Sequence, residues 1–207
     1  MNEFTIEKNE FLHRPVKGYF HTRYFGIGNP GNPDFICTLK NNFRDKSESD
    51  LRGCVDILHK TIFGDFHKIM GKVLAFPLTI CVVPRAKIDD RYRPDQLLFR
   101  ATVRDVASSI DGLDDGSDFI IRHTNTMTTH LKKMKPNDSF VNDGKCPYPG
   151  ISLGTCQFSS SIDGRDILLV DDVYTKNVNI DEDMLQALFD KGARSVVFYA
   201  VGGARIN

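Results

Sequence analysis

The densest chemistry in this chain lies where an apolar run meets two acids. Ile167-Leu168-Leu169-Val170 is followed by Asp171-Asp172-Val173-Tyr174, then by the polar stretch Thr175-Lys176-Asn177-Val178-Asn179. Four β-favouring apolar residues in a row suit a strand buried on both faces, as at the centre of a parallel sheet. Two carboxylates at its carboxyl end would stand at the edge where open α/β sheets bind ligands. Adjacent acids repel one another, so the pair is best tolerated where solvent or a hydroxyl-bearing, cation-carrying ligand shares the site. Beyond them, a polar turn entering a helix would offer backbone N–H groups and the positive end of the helix dipole, a seat for phosphate. Hydroxyl recognition beside phosphate recognition describes a sugar phosphate.

A second cluster lies upstream. The apolar run Pro77–Val83, with Leu78, Ile80, Val82 and Val83, suits a short buried strand, and it ends in Pro84-Arg85-Ala86-Lys87. Arg85 and Lys87 are either candidate charges for a further anion or surface charges at a strand end. An Asp-Asp pair after an apolar strand also occurs in receiver domains, where it binds magnesium near the domain's start. Here the pair falls about 35 residues before the last residue, which argues against that fold. A purely structural pair that caps the following turn is the other alternative.

The elements that must position these groups follow from periodicity. Ser49–Met70 places Leu51, Val55, Leu58, Ile62, Phe66 and Ile69 at steps of three and four, which predicts an amphipathic helix packed on a sheet despite Gly53 and Gly64. Pro94 opens a predicted helix with Leu97, Leu98, Ala101, Val106 and Ile110 on one side, ending near Gly112. Asp118–Ile121 and Ile151–Phe158 read as two further strands. A helix over Ile180–Lys191 turns Met184, Leu185, Leu188 and Phe189 inward, Gly192 supplies its left-handed end, and Val196–Val201 is the next strand. Such strand–helix–strand units imply an α/β protein with a central parallel sheet flanked by helices. The breaks at Gly26–Pro33 and Pro136–Pro149 read as loops.

With 207 residues, 41 % of them apolar, the chain can bury one sizeable core. The division expected is a core over residues 71–207 with residues 1–70 as an appended segment. Lys plus Arg equals Asp plus Glu at 27 each, so no global field draws the protein to nucleic acid or an anionic membrane. Lys132, Lys133 and Lys135 then read as a solvated basic face. No apolar run approaches the roughly 18 residues needed to span a bilayer, and Met1–Glu10 lacks a signal-peptide core, so a soluble cytoplasmic protein is expected. The scattered Cys37, Cys54, Cys81, Cys146 and Cys156 read as reduced and mostly buried. His123 and His130 have no third ligand at metal spacing. Gly26-Ile27-Gly28-Asn29-Pro30-Gly31 matches a dinucleotide fingerprint by letter, but Pro30 and Pro33 bar a helix from starting inside it and no clear apolar strand precedes it.

The stretch from Ile167 to Asn179 resembles the ribose-phosphate motif of type I phosphoribosyltransferases, a hydrophobic strand, an acidic pair and a Thr/Gly-rich loop. The resemblance implies a Rossmann-like type I phosphoribosyltransferase fold over about residues 72–203, with residues 1–70 as a small N-terminal hood. It implies that Asp171 and Asp172 meet the ribose 2′ and 3′ hydroxyls and that Thr175, Lys176, Asn177, Val178 and Asn179 cradle the 5′-phosphate. Arg85 and Lys87, with substrate-bound Mg²⁺, would stabilise the departing pyrophosphate. The implied partner is phosphoribosyl pyrophosphate or a nucleotide, and the implied activity is transfer of the phosphoribosyl group to a nitrogen nucleophile. The oligomeric state stays open, with a homodimer admitted.

Arg91-Tyr92-Arg93-Pro94-Asp95-Gln96-Leu97-Leu98 and Ile121-Arg122-His123-Thr124 echo the ComF-like, amidophosphoribosyltransferase-related members. Those often begin with a four-cysteine zinc site, whereas the first 70 residues here hold Cys37 and Cys54, so no structural zinc is expected. In the phosphate loop, where the family pattern reads Thr-Thr-Gly-x-Thr, this chain has Thr175-Lys176-Asn177-Val178-Asn179. The replaced glycine and hydroxyls keep a second reading alive, a non-catalytic sensor or competence-related module that binds a nucleotide or sugar phosphate.

Overall fold

A computed structural model describes residues 1–73, 77–128, 144, 152–176 and 178–206. Its centre is a six-stranded, mostly parallel sheet in the order β1-β2-β8-β7-β3-β4, formed by Asn2–Ile6 (β1), Val16–Arg23 (β2), Leu78–Val82 (β3), Leu113–Asp115 (β4), Asp166–Thr175 (β7) and Ser195–Ala204 (β8). Only β1, at one edge, runs antiparallel to its neighbour. The protein is thus an α/β fold with helices on both faces of the sheet.

The apolar run before the acids behaves as its composition dictates. Ile167, Leu168, Leu169 and Val170 are fully buried, and successive side chains alternate between two cores because a strand's side chains repeat every second residue. Leu168 and Val170 join Leu58, Ile62 and Phe66 of α2 (Glu48–Met70) and Val103 and Val106 of α3 (Leu98–Ser108). Ile167 and Leu169 join Met184, Leu185 and Leu188 of α5 (Ile180–Asp190) on the other face. Each such fully buried aliphatic or aromatic side chain contributes about 1.5–3 kcal/mol relative to an exposed one. Ser47 caps α2 by accepting from the Asp50 N–H at 3.1 Å. Gly192, at φ 89°, ends α5 where a Cβ would collide with the Asp163 carboxyl.

Several sequence expectations are corrected. Residues 1–70, expected as an appended hood, are built into the sheet and its core: β2 pairs parallel with β8, and Tyr19, Ile36 and Leu39 share one cluster with Ile80 and Val170. The strand readings at Asp118–Ile121 and Ile151–Phe158 shrink to Ile120–Arg122 (β5) and Cys156–Phe158 (β6), preceded by the short α4 (Ser152–Thr155). β5 and β6 pair antiparallel in a separate two-stranded sheet. Pro94 opens a 3-10 turn rather than α3, which begins at Leu98. The buried face of α3 is Thr102, Val103, Val106 and Ala107, and Ala101 is exposed. Of the residues expected to face inward on α5, Phe189 is half-buried, with the Arg14 guanidinium 4.3 Å above its ring.

A strand, β2, does precede the fingerprint-like Gly26–Gly31, but α1 (Asp34–Lys40) begins only after Pro33, so that segment is a loop. Cys81 and Cys156 are buried and Cys37 and Cys54 half-buried, all four as free thiols. Cys146, His130, Lys132, Lys133, Lys135 and most of the Pro136–Pro149 loop lie outside the described residues. Among the described residues, no helix is long and apolar enough to cross a membrane.

Candidate functional site

The strand order creates a divide between β3 and β7. After β3 the chain passes through α3 to β4 on one side, and after β7 it passes through α5 to β8 on the other. α3 and α5 lie on opposite faces of the sheet, so the carboxyl ends of β3 and β7 flank a crevice between them. The two strands part here: β3 pairs with β7 up to Val82 and Val170, the Val83 N–H donates to the Val170 carbonyl at 2.9 Å, and β7 then continues beside β8 alone as far as Thr175 and Ala204. Asp171 and Asp172 are the first residues beyond the parting.

An open pocket of about 180 Å³ occupies this crevice. Asp171 and Asp172 form one wall, Val83, Pro84, Arg85 and Ala86 another, and Lys40 and Asn42 at the end of α1 a third. Ile36, Leu39, Tyr92 and Phe99 make an apolar and aromatic flank. Because β2 runs parallel to β7, the connection that leaves its carboxyl end emerges on the same rim as the acids, and α1 is laid beside them.

The electrostatics of the two acids differ. Asp172 makes an ion pair with the Lys40 Nζ at 2.6 Å. Burial alone would lower the Lys40 ammonium, but the Asp172 charge and hydrogen bond hold it above its ordinary value. Asp171 accepts from the Asp172 N–H at 2.7 Å, yet loss of hydration and then the charge of Asp172 push its carboxyl up to about 7, against the pull of Lys40. Asp181, buried in the first turn of α5, shares a hydrogen bond with Asp171, and burial followed by the Asp171 charge drives it well above the usual carboxylate range. Next to them, burial raises Glu182, which accepts from the Tyr174 hydroxyl at 2.9 Å.

Neither a protein-family model nor a curated protein matches this chain. The site is therefore read from its own geometry.

Of the residues singled out in the sequence, the structure brings Asp171, Asp172 and Arg85 to one pocket; Lys87, Thr175, Lys176, Val178 and Asn179 do not line it. Asn177 lies outside the described residues. Arg85 is tied to the chain by several contacts. Its Nη1 donates to the Lys40 carbonyl at 2.9 Å and to the Gln96 carbonyl, its Nη2 to the Asn42 Oδ1 at 2.5 Å, and its plane lies 4.3 Å from the centre of the Tyr92 ring. A guanidinium so placed satisfies a last carbonyl of α1 and ties that helix to the loop after β3. Lys87 is buried, its N–H donates to the Tyr92 hydroxyl at 3.1 Å, and the loop around it is pinned by Arg122 Nε on the Arg85 carbonyl at 2.6 Å and Thr126 N–H on the Ala86 carbonyl at 2.8 Å.

Two amides of the expected phosphate cradle are bonded within the chain. The Lys176 N–H donates to the Ala204 carbonyl at 3.3 Å and the Val178 N–H to the Thr175 carbonyl at 3.2 Å, so both amides serve the chain rather than a ligand. Asn179 takes the left-handed conformation, at φ 62°, and its Oδ1 accepts from Asn9 Nδ2 at 3.0 Å. The first turn of α5 carries Asp181, Glu182 and Asp183, and Asp183 also accepts from the Ser152 N–H at 2.9 Å. Three acidic side chains already stand at the positive end of that helix, the end a phosphate would need. Lys40 and Asp181, by contrast, are site residues that the sequence reading missed.

Proposed function

We propose that the pocket between β3 and β7 receives the ribose of phosphoribosyl pyrophosphate, and that the protein transfers the phosphoribosyl group to a nitrogen nucleophile. The observation that carries this reading is the pair of adjacent acids, Asp171 and Asp172, standing free of β3 at the point where the sheet's connections diverge. Carboxylates there are suited to accept hydrogen bonds from neighbouring ribose hydroxyls, each worth about 1.5–3 kcal/mol when charge-assisted. In the reaction the nitrogen lone pair forms the new bond to the anomeric carbon while pyrophosphate leaves with the electrons of the broken C–O bond. The positive charge that develops on the ring lies over the acids, so positioning and electrostatics supply the catalysis. The apolar flank of Ile36, Leu39, Tyr92 and Phe99 suits a planar acceptor. Among the described residues no group of three or more His, Cys, Asp or Glu is arranged to hold a metal ion, so magnesium enters this reading as the companion of the substrate's oxygens.

Two observations favour a second reading, binding of a nucleotide or sugar phosphate without turnover: the amides of Lys176 and Val178 are spent on the chain, and Lys40 neutralises Asp172. One experiment separates the two. Calorimetric titration with magnesium phosphoribosyl pyrophosphate is followed by a pyrophosphate-release assay over a panel of nucleobases and amines. Transfer requires binding and release with at least one acceptor, and Asp171→Asn should weaken binding roughly tenfold or more. Binding with no release from any acceptor selects the second reading. Absence of binding, or an Asp171→Asn variant that binds as the wild type does, removes both.

A further inference from the structure

The pocket has walls for hydroxyls and for an apolar acceptor, but of the residues foreseen for the anion, Arg85 and the amides of Lys176 and Val178 are engaged by the chain itself. Among the described lining residues the cationic side chains are Arg85 and Lys40. Three acceptors and the Tyr92 ring hold the Arg85 guanidinium. Lys40 differs in kind: it is the last residue of α1, its backbone carbonyl is fixed by Arg85, and its side chain reaches the pocket on a flexible stem. An ammonium has three N–H donors and no fixed plane, so it can meet a second oxygen without wholly leaving its first.

We infer that Lys40 is the anion-binding residue of this pocket, turning from Asp172 toward a phosphate or pyrophosphate oxygen of the ligand, with Arg85 as the positioning residue that holds the end of α1 in reach. The inference deepens the proposed function and rests on its pocket. The apo ion pair is then a resting contact. When hydroxyls arrive at Asp172 they take over part of the solvation that Lys40 supplies, and the ammonium becomes available to the anion. Electrostatically this is the arrangement a neutral protein needs, since with 27 cationic and 27 acidic residues it has no general field to attract a polyanion. It also explains how a site with an acidic α5 first turn can accept an anion at all: the phosphate side of the ligand would face α1 and the β3 loop rather than α5.

The arrangement demands effects of opposite sign from its two partners. Inorganic pyrophosphate, without sugar, is titrated into the wild type, Lys40→Met, Lys40→Arg and Asp172→Asn, with thermal melts run alongside. Lys40→Met should weaken pyrophosphate binding roughly tenfold or more, and Lys40→Arg should restore most of it. Asp172→Asn frees the ammonium and removes a repelling charge, so it should tighten pyrophosphate while weakening ribose 5-phosphate. A merely structural ion pair would lower the melting temperature in both variants and tighten nothing. Pyrophosphate binding that is absent in the wild type, unchanged in Lys40→Met or weakened in Asp172→Asn overturns the inference. Should Lys40→Met fail to fold, Asp172→Asn alone still decides it through the sign of its effect. Pyrophosphate release that persists in Lys40→Met would sink Lys40 and leave the transferase reading standing. Lys40-dependent pyrophosphate binding with no affinity for the phosphoribosyl compound would do the reverse.

Discussion

Two aspartates of this molecule are surrounded in opposite ways. Asp65, on α2, is fully buried, and each neighbour that touches its carboxyl is a donor or a cation: His21 Nδ1 at 2.8 Å, the Tyr199 hydroxyl at 3.1 Å and Lys68 Nζ at 3.2 Å. Burial alone would raise its pKa, but the bond to His21, followed by those to Lys68 and Tyr199, brings the carboxyl below its usual range. At Asp171 the balance falls the other way: loss of hydration and then the charge of Asp172 push the carboxyl up to about 7, against the pull of Lys40, the Asp172 N–H and the Asp181 hydrogen bond. At Asp65 the donors and cations outweigh the loss of hydration, and at Asp171 the loss of hydration and the neighbouring negative charge outweigh Lys40 and the hydrogen bonds. A fold that holds a buried carboxyl low at Asp65 holds another high at Asp171, which is how a site kept for a ligand differs from a structural network.

The largest effect should come from breaking the satisfied side. Asp65→Ala leaves the buried Tyr199 hydroxyl without its acceptor and removes the partner of His21, where β2, β8 and α2 meet. A loss of about 2–3 kcal/mol is expected, read by urea denaturation. The pocket should keep its pyrophosphate affinity in the folded variant. If Asp65→Ala proves neutral in stability, the contrast between the two acids has been misjudged.

This contrast was only half legible in the sequence. β7, α2, α5 and β8 announce themselves, because an unbroken apolar run or a three-to-four repeat is the direct imprint of burial. β2 does not: Val16-Lys17-Gly18-Tyr19-Phe20-His21-Thr22-Arg23 mixes types, since its residues meet two different environments and some are polar partners in networks such as that of Asp65. With β2 unseen, the rim on which α1 lands could not be inferred, and α1 itself, at seven residues, is too short to carry a periodic signal. Lys40 was hidden for that reason. Arg85 was visible as a residue type, but composition does not tell which way a guanidinium turns, and here the carbonyl ends of α1 claim it. The run Asp181-Glu182-Asp183 was in plain sight just after the supposed phosphate turn, and it signals that the helix end there is already provided with negative charge.

The raised acid predicts the opposite sign. A carboxyl whose folded pKa is raised binds more protons in the native state than in the unfolded one, so its contribution to stability declines as pH climbs from about 4 toward about 7 and is flat above that. Asp171→Asn removes this decline, because the amide mimics the protonated acid. The variant should melt higher than the wild type at pH 8, by about 2–4 °C for each kcal/mol recovered, and the difference should shrink toward pH 4. Asp65 shows the reverse slope: its stabilisation is present above about pH 4 and is lost as pH falls through its lowered value. A pair of pH–melting profiles, one for each variant against the wild type, reads both slopes. Parallel profiles would mean that the two acids do not differ.

The smallest effect isolates a single bond on the satisfied side. Tyr199→Phe keeps the ring that packs edge-on against Phe66, with centroids 5.6 Å apart, and deletes only the hydroxyl that reaches Asp65. Asp65 retains His21 and Lys68, so the carboxylate is not abandoned and the cost should be about 1 kcal/mol. Tyr199 pairs across from Val170, one step before the parting at Asp171, and does not line the pocket. Its removal should therefore shift the denaturation midpoint and leave the affinity for pyrophosphate where it was. A change in that affinity would show that the buried network and the pocket act on one another through β7 and β8, and that the two regions are one system rather than two.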